Sequence, residues 1–372
     1  MVARMLDEGT TQRDYREISA ALEQVGATFS ASAGRETSAA TLQTLSPYVD
    51  DLLPLYAELL TAPAFPSDRL DLERSRALVA LQEENEDAGT VARKAFNRLV
   101  YGSHPAGRPA SGTPETLSAL TREQLREYHR RYYRPGNATL VAVGDFRAQE
   151  LLAQLTRAFG AWEAGTPPPP AQWPEPARQA EVRNTRLTME KAQTQIVLGH
   201  LGVRRGNPDY LALRVLDAIL GEGVEGGFTA RIPYQLRDVQ GLAYGVGSSI
   251  TRSAAKEPGV FVAALGTEPA NERKAVAALL AEIRKIRSAP VTETELREAQ
   301  DYLAHSYVFD FQTNAQLAAY LDAVQYFGLG YNYRQEFVNG VRKVTRADVL
   351  RVAKKYLDPD RYTLVVVAPP KR

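Results

Sequence analysis

The stretch Leu236-Arg237-Asp238-Val239-Gln240-Gly241-Leu242-Ala243-Tyr244 sets a permanent cation and a phenol seven residues apart. Arginine presents a planar fork of donors, and tyrosine one donor at the tip of a rigid ring. Held on fixed elements either side of a tight turn, Arg237 and Tyr244 could converge on one carbonyl or carboxylate. The same two residues also fit a surface ion pair and an ordinary sheet tyrosine. The elements that would position them are a helix ending at Gly241 and a strand from about Leu242 to Ile250. Glycine just past a helical run accepts the left-handed backbone that stops a helix. Arg237 is therefore expected near a helix end and Tyr244 inside the following strand.

Other reactive side chains are sparse. With no cysteine, thiolate metal sites, disulfides and a Cys nucleophile are excluded. His104, His129, His200 and His305 have no second His or carboxylate at zinc-ligand spacing on one helix face. Glu83, Glu84, Glu86 and Asp87 form an acidic run that reads as a solvated helix end. Gly221-Glu222-Gly223-Val224-Glu225-Gly226 has the G-x-G-x-x-G spacing, but it follows a helix and places two Glu where phosphates would approach. It reads as a loop.

The 372 residues are 44% hydrophobic and 24% charged, with a formal net charge of +1. This is an ordinary globular composition, long enough for two domains. The balanced charge argues against a general nucleic-acid or acidic-membrane binder, and no apolar run is long enough to cross a bilayer. No signal peptide is visible, so a cytoplasmic location is expected. The chain opens inside a helical pattern, and the first domain is expected to lack part of its N-terminal portion.

Hydrophobic spacing and capping residues predict helices over 15–25, 47–60, 68–85, 89–100, 121–133 and 151–159, with paired strands over 27–33 and 38–45. Asn137 to Val143 reads as a buried strand. The proline tract from Gly165 to Pro176 is a semi-rigid linker. The predicted division is a first domain over 1–164, a linker over 165–180 and a second domain over 181–372. Thr121–Val143 aligns without gaps onto Thr345–Val367, with eight identities in 23 positions. Two copies of one α+β domain follow, each a mainly antiparallel sheet packed with helices.

This repeat resembles the insulinase-type (inverzincin) zinc peptidases. So do, taken in order, MLDEGTTQRDYREI, ATFSASAGRET, YGSHPAGRPASGT, YYRPGNATLVAVGDF and LRDVQGLAYGV. The likeness is nearest to the bacterial and mitochondrial-processing-peptidase-like members and covers nearly the whole chain. It implies an H-x-x-E-H helix in the catalytic half, whose two His bind zinc and whose Glu is general base. Carried over by position, that Glu falls on Ala3 and the second His on Arg4, and the first His would precede Met1. Alanine accepts no proton, and a guanidinium repels zinc. The resemblance also implies a peptide-pairing strand, here at Ala31, Ser32 and Ala33. It further implies an Arg/Tyr pair that holds substrate beside the metal, which Arg237 and Tyr244 match. What it implies is thus a non-catalytic subunit of a heterodimeric zinc metallopeptidase. Such a chain binds no metal itself, contributes Arg237 and Tyr244, and pairs with a paralogous H-x-x-E-H subunit that carries zinc and acts on peptides. A binding protein of the same fold, or an active zinc peptidase with other ligands, are the alternatives.

Overall fold

The computed structural model describes residues 1–166, 168–169, 172–222 and 229–370. The G-x-G-x-x-G stretch beyond Glu222 and two prolines of the linker lie outside the described residues. The chain forms two compact units, one of Met1–Glu83 with Pro109–Gln172, the other of Glu84–Arg108 with Trp173–Arg372. Both combine helices with a sheet, the α+β class expected.

The second unit is built on a five-stranded sheet. Its strands are β3 (Arg183–Thr188), β4 (Thr194–Leu201), β5 (Val246–Ser249), β6 (Val260–Thr267) and β7 (Thr363–Ala368), in the order β3-β7-β4-β6-β5. β3 and β7 run parallel and every other pair is antiparallel. Successive side chains on a strand point to opposite faces, and here both faces are apolar. Ile196, Leu198, Phe261, Ala263 and Leu265 face the helices Tyr210–Asp217, Glu272–Ser288 and Arg346–Tyr356. Val197, Val260, Val365 and Val367 face the other way, onto the helix Ala88–Tyr101. This explains why Ile196–Leu198 of β4 and Leu364–Val367 of β7 are apolar at successive positions rather than alternating ones.

Chain order alone puts Ala88–Tyr101 in the first domain, 1–164. Its apolar stripe of Ala88, Ala92, Phe96 and Val100 instead packs on the second unit's sheet. Tyr101 Oη completes the docking by donating to the carbonyl of Pro258 at 2.7 Å. Phe96 lies over Gly199 of β4, where an added Cβ would come within 3.0 Å of the ring and 1.9 Å of the Phe261 carbonyl oxygen. The bare backbone at Gly199 is what lets helix and sheet meet.

The first unit has one two-stranded antiparallel sheet, β1 (Thr28–Ala33) with β2 (Ser38–Gln43). Three helices follow the sequence signals closely. Asp14 closes a capping box on Tyr15–Glu23, Thr121 does the same on Arg122–Tyr132, and the long helix runs Ser67–Glu86. Its core has two larger parts, beside a small cluster of Ala77, Leu81 and Leu117. Met5, Leu6, Phe65, Leu70 and Leu125 make one, and Ile18, Leu52, Leu55 and Leu59 the other. The predicted buried strand at Asn137–Val143 is a correction. The segment forms no strand, and residues 137–140 are exposed. Its composition is that of a strand, but no neighbouring strand pairs with it.

Phe96→Ala removes the ring that seals helix to sheet. The second unit should lose about 3–5 kcal/mol, read as a lower urea midpoint for the transition of that unit.

Candidate substrate-binding site

Arg237 lies in a π-helical turn, Tyr234–Val239, that continues the short helix Arg231–Pro233. Such turns widen a helix by one residue and often mark functional positions. Gly241 ends it with φ +60°. The amide of Gly241 donates to the carbonyl of Arg237 at 3.1 Å, and that of Leu242 to the carbonyl of Leu236 at 2.7 Å. Thr267 Oγ1 of β6 then donates to the Leu242 carbonyl at 2.6 Å. Leu242 thus spends its amide on the turn and its carbonyl on a side chain of β6, so β5 starts four residues later, at Val246. Tyr244 sits in the bend before β5 and not inside the strand, which corrects the predicted start at Leu242.

Leu236, Leu242 and Ala243 are buried and root the turn in the core. Arg237 and Tyr244 project from it. The Arg237 guanidinium lies 5.3 Å from the centre of the Tyr244 ring, a cation–π distance, and its Nε is 3.6 Å from Asp238 Oδ1. Tyr244 is 86% exposed, and Tyr234 and Val239 on the same turn are also exposed. The predicted pair is therefore brought together as one outward cation and phenol bordered by apolar side chains. Such a surface can donate hydrogen bonds to a carbonyl or carboxylate and cover the carbon chain beside it. Arg231, at the start of the segment, is fixed by a two-pronged pair with Glu295 at 2.6 and 3.0 Å. Burial pushes the Glu295 carboxyl up, but Arg231 and the Thr292 cap outweigh it and hold it at about 2.

The other end of β5 is held by Asp217, which sequence reading passed over. It is 1% exposed. Its carboxylate accepts from Ser249 Oγ at 2.8 Å, from the Ile250 and Thr251 amides at 2.9 Å, and from Thr251 Oγ1 at 2.5 Å. Burial, with Glu222 nearby, raises its pKa to about 6. Glu222 pairs with Arg214 at 2.8 Å. Gly221 belongs to the adjoining π turn Ala218–Glu222, where a Cβ would meet the Ser248 backbone nitrogen at 2.4 Å. Gly221 is thus required for a close backbone approach to β5. The signal for Asp217 was its place inside the apolar run Leu211–Leu220, where an ionisable side chain has to find partners.

In the first unit, Ala3 and Arg4 occupy a short 3-10 turn, Ala3–Met5. Ala3 is buried and offers no donor. Arg4 Nη1 lies 3.6 Å from Glu73 Oε2, and Arg76 Nη1 lies 2.6 Å from Glu73 Oε1. Glu73 is buried on the apolar stripe of Ser67–Glu86, beside Leu70 and Ala77, and that misplaced acid was the sequence signal for it. Glu8 pairs with Arg69, whose guanidinium stacks 3.9 Å from the Tyr15 ring centre. Burial, then the nearby Glu8 and Glu73, raises the Asp7 carboxyl above its ordinary range. The cluster sets carboxylates against guanidiniums and contains no imidazole. A zinc ion needs neutral or anionic donors around an open position, so this donor set does not fit one. Among the described residues, no group of three or more His, Asp or Glu could hold a metal ion.

Three of the four histidines are packing residues, and His305 is exposed. His129 Nε2 sits 2.8 Å from the Leu60 carbonyl, its ring stacks on Tyr133, and burial lowers its pKa. His200 bridges the Leu201 carbonyl and the Asp358 amide, and burial lowers its pKa as well. His104 stacks on Tyr101 and its Nδ1 accepts from the Ala106 amide at 3.1 Å.

Residues 1–114 match the model of the insulinase (peptidase M16) family, and residues 119–303 match that of the peptidase M16 inactive domain. The chain belongs to the insulinase family. A crystal structure described as the peptidase M16 inactive domain from Pseudomonas fluorescens superposes with a TM-score of 0.91 at 26% identity, covering 100% of this chain and 88% of that one. An uncharacterized zinc protease of Streptomyces coelicolor is 25% identical over 99% of this chain and 79% of its own. The non-peptidase homolog YmxG of Helicobacter pylori is 22% identical over 100% and 84%. The insulinase family thus holds relatives named on either side of the catalytic divide. This member's inactive-domain match covers Arg237 and Tyr244, and its insulinase match covers Ala3 and Arg4. Among the described residues, no helix is long and apolar enough to cross a membrane.

Two outcomes follow for Asp217. Asp217→Ala strands several buried donors and should destabilise the second unit by at least about 3 kcal/mol, measured by thermal melting. The carboxyl titrates higher in the fold than its ordinary 3.8. Its protonated form therefore adds stability below about pH 4, and this is lost as pH rises through about 6. Wild-type melting should carry that decline, and Asp217→Asn should lack it.

Proposed function

We propose that this chain is the non-catalytic subunit of a two-chain zinc metallopeptidase and supplies Arg237 and Tyr244 to a cleft completed by a partner. The observation that carries this reading is a contrast within one insulinase-family chain. The outward Arg237–Tyr244 pair is kept on a rigid buried root. The positions that would hold the catalytic Glu and the second His carry Ala3 and Arg4. The partner is a paralogue with an intact H-x-x-E-H helix, which holds the zinc and the general base. The names of the relatives, inactive domain and non-peptidase homolog, support a chain without its own chemistry.

In this reading a peptide lies extended across the Arg237–Tyr244 surface. The guanidinium donates to a backbone carbonyl or a terminal carboxylate and fixes the register of the substrate. The phenol donates to the oxygen of the scissile carbonyl. That bond strengthens as the oxygen gains negative charge on attack by water, so it favours the transition state over the bound substrate. Zinc, when bound on the partner, would polarise that carbonyl and activate the water. Neither Arg237 nor Tyr244 needs to gain or lose a proton in this role.

Zinc in the purified chain, before and after incubation with zinc and desalting, should stay near zero by elemental analysis. About one ion per chain retained through desalting would instead point to an active peptidase with other ligands. With the H-x-x-E-H paralogue added, Tyr244→Phe should lower kcat by about 10²-fold, and Arg237→Ala should raise KM and lower kcat/KM. Zinc content of the complex should not change. Unaltered turnover in both variants would remove the proposed role and leave a binding protein of this fold.

A further inference from the structure

The second unit holds a cavity of about 660 Å³ whose lining shares no residue with the Arg237–Tyr244 turn. It lies at the end of the sheet where β4 leaves and β6 enters. The chain after β4, the loop before β6, a segment near Glu175 and the last residues of Asn314–Phe327 and Arg346–Tyr356 line it. All of these belong to the second unit. Backbone bonds carry the two loops on beyond the β4–β6 ladder. The Gly202 amide donates to the Gly259 carbonyl at 2.8 Å, the Gly259 amide to the Val203 carbonyl at 2.9 Å, and the Arg205 amide to the Ala255 carbonyl at 2.8 Å.

The lining divides by chemistry. Its buried members Pro176, Val203, Pro258 and Tyr356 present apolar surface, which half-buried Leu201 and Phe327 extend. The Tyr356 hydroxyl is spent on Asp209 at 2.7 Å, so the ring is what Tyr356 gives the cavity. Its exposed members are Glu175, Arg178, Gly206 and Lys256. Arg204 pairs with Glu175 and, at 3.4 Å, with Glu257, and it donates to the Lys256 carbonyl. That guanidinium clasps the loop before β6 to the Glu175 segment. The Lys256 ammonium rests 3.9 Å from the centre of the Tyr326 ring. Arg178 makes no hydrogen bond or ion pair among the described residues. The three cations Arg178, Arg204 and Lys256 thus stand against Glu175 on the lining and Glu257 beside it, an excess of one positive charge.

We infer that this cavity binds a molecule with one carboxylate on an apolar or aromatic body, either a free acid or the C-terminal end of a short peptide. Arg178 and Lys256 donate to the carboxylate, the guanidinium as a two-pronged fork. The body covers Val203, Phe327 and the Tyr356 ring. An apolar wall with a few charged groups that fix orientation is the usual form of a small-ligand site, and the volume falls within the range of roughly 300–1,000 Å³ for such sites. A single carboxylate neutralises the excess charge, whereas Glu175 and Glu257 disfavour a second negative group. The inference does not rest on the Arg237–Tyr244 reading.

Isothermal titration of the full chain tests it. The probes are decanoate and the dipeptide N-acetyl-Leu-Phe, each compared with its neutral amide. One or both acids should bind once per chain with a Kd below about 1 mM, and which of them binds tells a free acid from a peptide end. The matching amide should bind about tenfold more weakly. Arg178→Glu and Lys256→Glu should each weaken the acid about tenfold, while the affinity of the amide and the melting curve stay unchanged. Lys274→Glu makes the same change of charge at an exposed position outside the cavity, on Glu272–Ser288, and should leave the acid's affinity as it was. Failure of both acids to bind would overturn the inference. So would amides that bind as tightly as their acids, or a loss in Lys274→Glu equal to that in the cavity variants.

Discussion

The constraint on which the second unit depends is that both faces of its sheet must be kept from water. A parallel or mixed sheet with apolar side chains on each side is stable only when layered on both. One layer comes from the helices that follow and precede its strands. The other is a single helix from far earlier in the chain, Ala88–Tyr101. Every feature of the Arg237–Tyr244 turn rests on that layered sheet. Thr267 of β6 grips Leu242, Asp217 grips the end of β5, and Leu236 reaches the same core. The exposed pair is held rigid because its roots are buried on several sides.

Much of this was legible in the residues. The caps at Asp14, Thr121 and Thr345 are written as side chains three positions ahead of an acid or amide, and such local signals survive any tertiary context. The repeat was visible because helix and strand alternate in register over Thr121–Val143 and Thr345–Val367. The Arg237–Tyr244 pairing followed from spacing about Gly241. What failed was non-local. Asn137–Val143 has the composition of a strand, yet a strand exists only where a neighbour pairs with it. Tyr244 was assigned to β5 because the chain alone cannot reveal that Leu242 gives its carbonyl to Thr267. Helix Ala88–Tyr101 carries an apolar stripe that says it is covered, and nothing in the stripe says by what.

Asp217 and Glu73 show a second kind of silence. Each is an acid on an apolar helix face, a pattern that signals a buried partner without naming it. The partners differ in kind. Asp217 is met by amides and hydroxyls, which fix the backbone of β5. Glu73 is met by Arg4 and Arg76, so that charge is balanced by charge. One acid organises a loop, and the other is held by guanidiniums.

The early position of Ala88–Tyr101 has a consequence for how this protein is made. The helix leaves the ribosome well before any strand of the sheet it covers, and the strand that completes its seat, β7, is made only after the other four. Its apolar stripe therefore stays without its full native cover until β3 to β7 have all been made. A polypeptide severed in the proline tract and refolded from Trp173 onward would carry the mirror image of that problem, a sheet with one naked face.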